Sequence, residues 1–264
     1  MGANAGWLLA DKALRFPVAL GVSIAVARYL GPERQGVLGY AIAFAGLFSV
    51  IAGLGLDGIT VRELLATPDE RDRVLGTSFL LKLLGGIGAL VLAIAVIAIV
   101  RPGDTTMLVY VAIIAAATLF QAFDVTDYYF QSQVQSKYTV FAQAPVFLAL
   151  SLIKIVLIAL NAPLTAFVWI SFADLAFASL SVALVFRARV EPLTRWRFAK
   201  ERGKAMLRDS WPLALSAAVG MVYLRIDQVM LGQMLGDEEV GVYSVAVRLA
   251  EIVMMASMVI YSST

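Results

Sequence analysis

Charged side chains stand in this chain where a hydrocarbon environment makes them expensive. Asp11, Lys12 and Arg15 open one apolar stretch, and Lys82 sits in another. Gln121, Asp124, Tyr128, Gln131 and Gln135 follow at three- or four-residue spacing, with Asp127 alongside. Lys154 lies just beyond Ser151; Ser171, Asp174 and Ser181 share a helical face. Arg225, Asp227, Arg248 and Glu251 close the series. Ionisable residues at membrane depth usually face a bundle interior or a wet cavity, and they mark substrate or ion paths. The cations suit an anionic ligand, and phosphate is the commonest such group. Arg15, Lys154, Arg225 and Arg248 are the candidate substrate-binding residues. The acids suit a proton or Na⁺, the usual coupling ions of secondary transport. Asp124, Asp127, Asp174, Asp227 and Glu251 are the candidate ion-coupling residues.

Local spacing gives some of these charges partners. Asp11 and Arg15 stand four apart and can pair along a helix. Arg225 and Asp227 stand two apart, so they point to nearly opposite faces, and at least one needs another partner. Lys82 lies near one end of its stretch, where snorkelling to the interface accounts for it. Lys154 is the deepest isolated cation. Asp174 has two readings, a protonatable acid or the partner of Lys154 on the preceding helix.

Composition excludes much other chemistry. Hydrophobic residues make up 61% of the 264, charged residues 15%, and mean hydropathy is +0.85. A soluble domain carries about 25% charged residues. A polytopic, all-α membrane helix bundle is the expected fold class. There is no Cys and no His, so there is no disulfide framework or thiolate site, and the commonest general base is missing. No Gly-x-x-x-x-Gly-Lys phosphate loop occurs. Gly85-Gly86-Ile87-Gly88 falls mid-span, where glycine eases helix contact. No cofactor, metal or nucleic-acid partner is expected; a net charge of +2 is too small to argue for nucleic acid.

About eight spans must position these groups. They run roughly over 8–30, 37–56, 75–100, 106–128, 138–160, 164–186, 211–232 and 240–262. The first is read as retained rather than as a cleaved signal. Loops after even-numbered spans carry Arg62, Arg71, Arg73, Lys137, and then Arg187 to Arg208 with eight cations. Loops after odd-numbered spans carry only Arg28, Arg34 and Arg101. The even loops and the N-terminus are therefore expected in the cytoplasm. Residues 196–208 suggest a surface helix anchored by Trp196, Phe198, Met206 and Leu207, or a plain basic linker.

One phrase occurs twice. Leu30-Gly31-Pro32-Glu33-Arg34-Gln35-Gly36-Val37 returns 205 residues later as Leu235-Gly236-Asp237-Glu238-Glu239-Val240-Gly241-Val242. Six spans separate the copies, so both point the same way through the membrane. The halves are parallel repeats related by an axis along the membrane normal. The expected organisation is a six-helix lobe over 1–190, a basic cytoplasmic linker over 191–210 and an incomplete second lobe of two helices over 211–264. In this alignment Arg248 and Glu251 correspond to Ala43 and Gly46. They can pair at i, i+3, yet the first half lacks both charges.

Longer motifs carry a family resemblance over essentially the whole chain. Ala27-Arg28-Tyr29-Leu30-Gly31-Pro32-Glu33, Gly53-Leu54-Gly55-Leu56-Asp57-Gly58-Ile59-Thr60-Val61-Arg62-Glu63-Leu64 and Phe123-Asp124-Val125-Thr126-Asp127-Tyr128-Tyr129-Phe130-Gln131 occur in order. Ser210-Trp211-Pro212-Leu213, Arg225-Ile226-Asp227-Gln228 and Val240-Gly241-Val242-Tyr243-Ser244 follow. The chain resembles Wzx-type polysaccharide flippases of the multidrug/oligosaccharidyl-lipid/polysaccharide exporter superfamily. The resemblance implies two six-helix lobes around a cavity that opens alternately to either side of the bacterial inner membrane. It implies an undecaprenyl-pyrophosphate-linked oligosaccharide as substrate, with a polysaccharide polymerase as a further candidate partner. Asp124 and Asp127 match the family's fourth-helix acids. Arg225, Asp227 and Arg248 match charged positions of its seventh and eighth helices.

Family members have twelve or more spans, and this sequence stops in its eighth. It is read as truncated or incomplete, and activity of this portion alone is not expected. The alternatives are a multidrug/cation antiporter or lipid II flippase of the same superfamily, an integral-membrane enzyme, or a scaffold. A drug cavity calls for one dominant acid rather than several cations. The acid-rich loops, Asp69-Glu70-Arg71-Asp72 and Asp237-Glu238-Glu239, offer little to an enzyme, and a non-enzyme is expected.

Overall fold

A computed structural model describes residues 2–247, with side chains from Arg15 to Val247. Among them the fold is helical without a strand. Its elements are α1 (Gly2–Gly53), α2 (Leu56–Ala66), α3 (Arg71–Val100), α4 (Thr105–Ala116), α5 (Val125–Ser132), α6 (Lys137–Ala159), α7 (Leu164–Arg189) and α8 (Lys200–Met234). A 3₁₀ stretch, Ala117–Asp124, joins α4 to α5. Residues 237–247 are again helical and begin the eighth expected span.

Six helical segments among the described residues are long and apolar enough to cross a membrane. The first makes two passes, because α1 is broken at Gly31 (φ 72°, ψ 171°). That backbone conformation is essentially reserved for glycine, and Pro32 after it cannot donate into the preceding turn. The first two expected spans are thus the two arms of α1. Large apolar side chains such as Val91, Ile99, Leu152, Leu160 and Leu184 point outward, as hydrocarbon solvent requires. The chain is an integral membrane protein.

Two apolar clusters hold the bundle. One packs Leu30, Tyr40 and Phe44 of α1 against Ala93 and Ile97 of α3, Val111 of α4 and Phe167 of α7. The other packs Leu64 of α2, Val74 and Leu75 of α3, Val125 and Phe130 of α5, and Val182 and Phe186 of α7. Along α3, Lys82 falls between them.

Of the two readings of the basic stretch, the surface helix over 196–208 does not form as a separate element. Residues 200–210 are the first turns of α8, continuous with the seventh span. The stretch before them is strapped across α3: Arg197 N donates to Asp72 O (3.1 Å) and Ala199 N to Thr77 Oγ1 (3.0 Å). Trp196 does not anchor to a lipid interface, because its ring packs against Phe79 (5.4 Å) and Phe186 (5.9 Å). Met206 is buried, while Phe198 and Leu207 are exposed. Arg202 binds Glu63 (3.1 Å), Thr67 (3.1 Å) and Glu70, Arg62 binds Asp209, and Arg71 binds buried Glu191 (2.5 Å). Arg62, Arg71 and Arg202 therefore fasten residues 191–210 to α2, the turn after it and α3.

Candidate functional site

Span 2 does not end where its apolar run ends. Leu54 (φ 51°) and Gly55 (φ 64°) turn the chain through left-handed backbone, and α2 starts immediately after. Gly55 suits that turn on two counts. It tolerates the dihedral, and a Cβ there would lie 2.5 Å from Ala214 N and 2.7 Å from Ser210 O of α8. The break places Asp57 in the first turn of α2, where the helix dipole favours a carboxylate. Thr60 and Ser78 share a hydrogen bond (3.1 Å), so α2 runs alongside the first half of α3.

Asp57 faces Lys82. The Lys82 ammonium lies 3.1 Å from Asp57 Oδ1 and 2.6 Å from Tyr128 Oη, and Tyr128 donates to Asp57 Oδ1 at 2.5 Å. Lys82 also sits 4.7 Å from the Tyr128 ring centroid. It does not snorkel: its side chain is 2% exposed, eleven residues and about 16 Å into α3. A partner at the same depth removes the reason to reach for the interface. Asp57 is 65% exposed, so the cluster has a buried cation and an open acidic end.

The fourth-span acids join this cluster through their neighbours. In the 3₁₀ stretch Ala117–Asp124, residues three apart eclipse one another, so Gln121 and Asp124 share one edge. Asp124 accepts from Ser179 of α7 (2.6 Å), and Lys82, Asp127 and Asp57 act on it electrostatically. Asp127 accepts from Thr139 of α6 (2.5 Å) and from Gln131 (2.8 Å). Asp57 of α2 therefore pairs with the one ammonium from α3, and Asp124 of the 3₁₀ stretch and Asp127 of α5 are further carboxylates of the same region. Ionised together, they carry more negative than positive charge. A site of that balance can take up a proton or a monovalent cation.

A second pair stands apart from the first. Lys154 of α6 donates to Asp174 of α7 at 2.5 Å, with side chains 23% and 35% exposed. Lys154 is thus not isolated, and of the two readings of Asp174 the structure adopts the ion pair. Arg15 lies over the ring of Phe147 of α6 (5.4 Å). Asp227 accepts from Tyr243 (2.5 Å) and from the backbone of Gln228 (2.7 Å), while Arg225 is half-buried on α8. These contacts give Asp227 partners other than Arg225. Arg248 and Glu251, and the side chains of Asp11 and Lys12, lie outside the described residues.

Asp57 is the residue that sequence reasoning missed. It stands in the Gly53-Leu54-Gly55-Leu56-Asp57-Gly58 motif, which in sequence carries only the family resemblance. The usable signal is Gly55, since a left-handed break inside an apolar run turns the next acid toward the following helix.

The comparisons with known proteins agree with this architecture. A family model described as polysaccharide biosynthesis protein matches residues 1–264. Among solved structures, the chain is similar to an inward-facing multidrug resistance MATE family transporter of the MOP superfamily. The TM-score is 0.67 at 18% identity, over 90% of this chain and 58% of that one. At that identity the likeness shows the fold. The chain spans little more than half the length of that transporter. No curated protein matches in sequence. With the motifs, the helical fold and the family model in accord over its full length, the chain belongs to the polysaccharide biosynthesis protein family.

Proposed function

We propose that the whole protein is a flippase of the bacterial inner membrane, with its N-terminus and basic loops in the cytoplasm. It moves a polyprenyl-pyrophosphate-linked glycan from the cytoplasmic to the periplasmic leaflet for surface polysaccharide synthesis. Two lobes alternate in access, and a proton or Na⁺ supplies the driving force. The observation that carries this reading is the buried Lys82 cluster, in which Lys82 bonds Asp57 and Tyr128 and acts electrostatically on Asp124. A membrane protein keeps such a group where its charge state is used. Asp124 and Asp127 are the coupling acids in this lobe, with Asp57 as their open end. Asp174, Asp227 and Glu251 are the further acids of the cycle. Arg15, Lys154, Arg225 and Arg248 supply cations to the pyrophosphate, and Lys154 reaches it by exchanging Asp174 for the ligand. The protein acts as a carrier and catalyses no covalent step.

The fold likeness to a multidrug transporter favours one second reading, drug/cation antiport. The two separate in a strain lacking its own flippase. Expression of the whole protein should restore surface polysaccharide. Arg225→Gln with Lys154→Gln should reduce it at least about tenfold, the scale of losing one charge-assisted contact of about 1.5–3 kcal/mol, at unchanged membrane abundance. Unaltered polysaccharide in the variant sinks the pyrophosphate assignment. Drug resistance without polysaccharide favours the antiporter.

A further inference from the structure

We infer that the two copies of the repeated phrase form a gate at the periplasmic end, a crossing lined by glycine that Arg101 latches to Asp237. The inference rests on the two-lobe transport reading above. Its geometry is independent of that reading.

The two copies touch, and they touch reciprocally. A Cβ on Gly36 would collide with the carbonyl oxygen of Asp237, and a Cβ on Gly241 would collide with the carbonyl oxygen of Pro32. In the 205-residue register, Gly36 corresponds to Gly241 and Pro32 to Asp237. Each copy therefore presses the same glycine against the same position of the other, as in a contact across a two-fold axis. Gly39 corresponds to Ser244, and these two meet each other: a Cβ on Gly39 would lie 3.3 Å from Ser244 Cβ. The axis relating the halves passes beside that pair. Nearby, Gly232 gives room to the ring of Tyr40. Backbones this close leave no passage between the two copies of the phrase.

One side chain ties the crossing together. Arg101, in the α3–α4 loop of the first half, donates to Asp237 Oδ1 (2.8 Å) and Oδ2 (3.3 Å) and to Gly232 O (3.1 Å). Its guanidinium lies 4.0 Å from the Tyr40 ring centroid, and Gln233 donates to Tyr40 Oη at 2.7 Å. Arg101 is 14% exposed and Asp237 26%. A forked guanidinium on a carboxylate, stacked on an aromatic face, is a specific contact that lysine cannot copy. In the repeat, Asp237 corresponds to uncharged Pro32, so the latch exists once, added to a symmetric crossing. Opening toward the periplasm requires Arg101 to leave Asp237 and the glycine faces to part.

These 264 residues hold no cysteine, and any cysteine elsewhere in the whole protein is first replaced by serine. In the whole protein, Gly39→Cys with Ser244→Cys brings two Cβ atoms near the separation a disulfide spans, about 3.5–4.5 Å. Oxidant should cross-link the pair and reduce glycan export at least tenfold. Reductant should restore export, and each single variant should stay active. Arg101→Gln should slow cross-linking several-fold by depleting the closed state, and Arg101→Lys should recover only part of it. Failure to cross-link, or cross-linked protein that exports normally, overturns the gate. Cross-linking that is slowed in R101Q, in a protein that moves no lipid-linked glycan even when reduced, sinks the transport reading and leaves the latch standing.

Discussion

Asp57→Ala should destabilise the protein by about 3 kcal/mol, whereas Lys82→Met should cost only about 1 kcal/mol. The pair is asymmetric: Lys82 is 2% exposed and Asp57 65%. Removing Asp57 leaves an ammonium buried beside a neutral phenol, and an uncompensated buried charge is the costly case, about 3–5 kcal/mol. Asp124 acts electrostatically on the same cluster, which places the loss at the low end. Removing Lys82 instead leaves an exposed carboxylate that still accepts from Tyr128 (2.5 Å). Its loss resembles that of an ordinary charged hydrogen bond. The double variant, Asp57→Ala with Lys82→Met, strands no charge and should recover most of the difference. Thermal unfolding in detergent, with membrane abundance as a second readout, gives the three values. Equal losses from the two single variants, adding in the double, would show that the residues do not act as a pair.

The second large effect is on coupling rather than stability. Asp124→Asn mimics a permanently protonated acid, and its partner Ser179 (2.6 Å) can still hydrogen-bond the amide. Folding should therefore survive. What is lost is the linkage between ion binding and lobe movement. Couplings of this kind are worth about 1–3 kcal/mol, or about 5–150-fold. Transport by Asp124→Asn should fall by that factor and cease to respond to an ion gradient. Asp127→Asn should behave similarly but less severely, because Gln131 and Thr139 both hold that side chain. An Asp124→Asn protein that still responds to the gradient removes Asp124 from the coupling role.

The reach of the sequence follows from which interactions are local. Span positions were legible because hydrocarbon thickness fixes their length. Asp124 and Asp127 were legible as a polar stripe in an apolar run. Lys82 was misread because its depth looked shallow from the neighbouring basic loop. Its partner Asp57 is 25 positions away in sequence and arrives through a left-handed break at Leu54 and Gly55. Lys154 looked isolated because its own helix offers no acid, although the alternative of Asp174 across the helix pair was open. The surface-helix reading of 196–208 fails for a related reason. Trp196 and Met206 read as amphipathic anchors, but the surface they cover is protein, supplied by Phe79, Phe186 and the α2–α3 pair. The repeated phrase advertised duplication. That its glycines meet one another is a tertiary fact that no spacing rule contains.

The most direct measurement follows polyprenyl-pyrophosphate-linked glycan across a bilayer. The whole protein is reconstituted in sealed vesicles with the glycan-lipid in one leaflet, and its appearance in the other is timed under a proton gradient, a Na⁺ gradient or neither. The account predicts that one of the two gradients accelerates translocation in the wild-type protein and has no effect on Asp124→Asn. Glycan-lipid that stays in its leaflet under both gradients, or that crosses equally fast with and without them in both proteins, contradicts it.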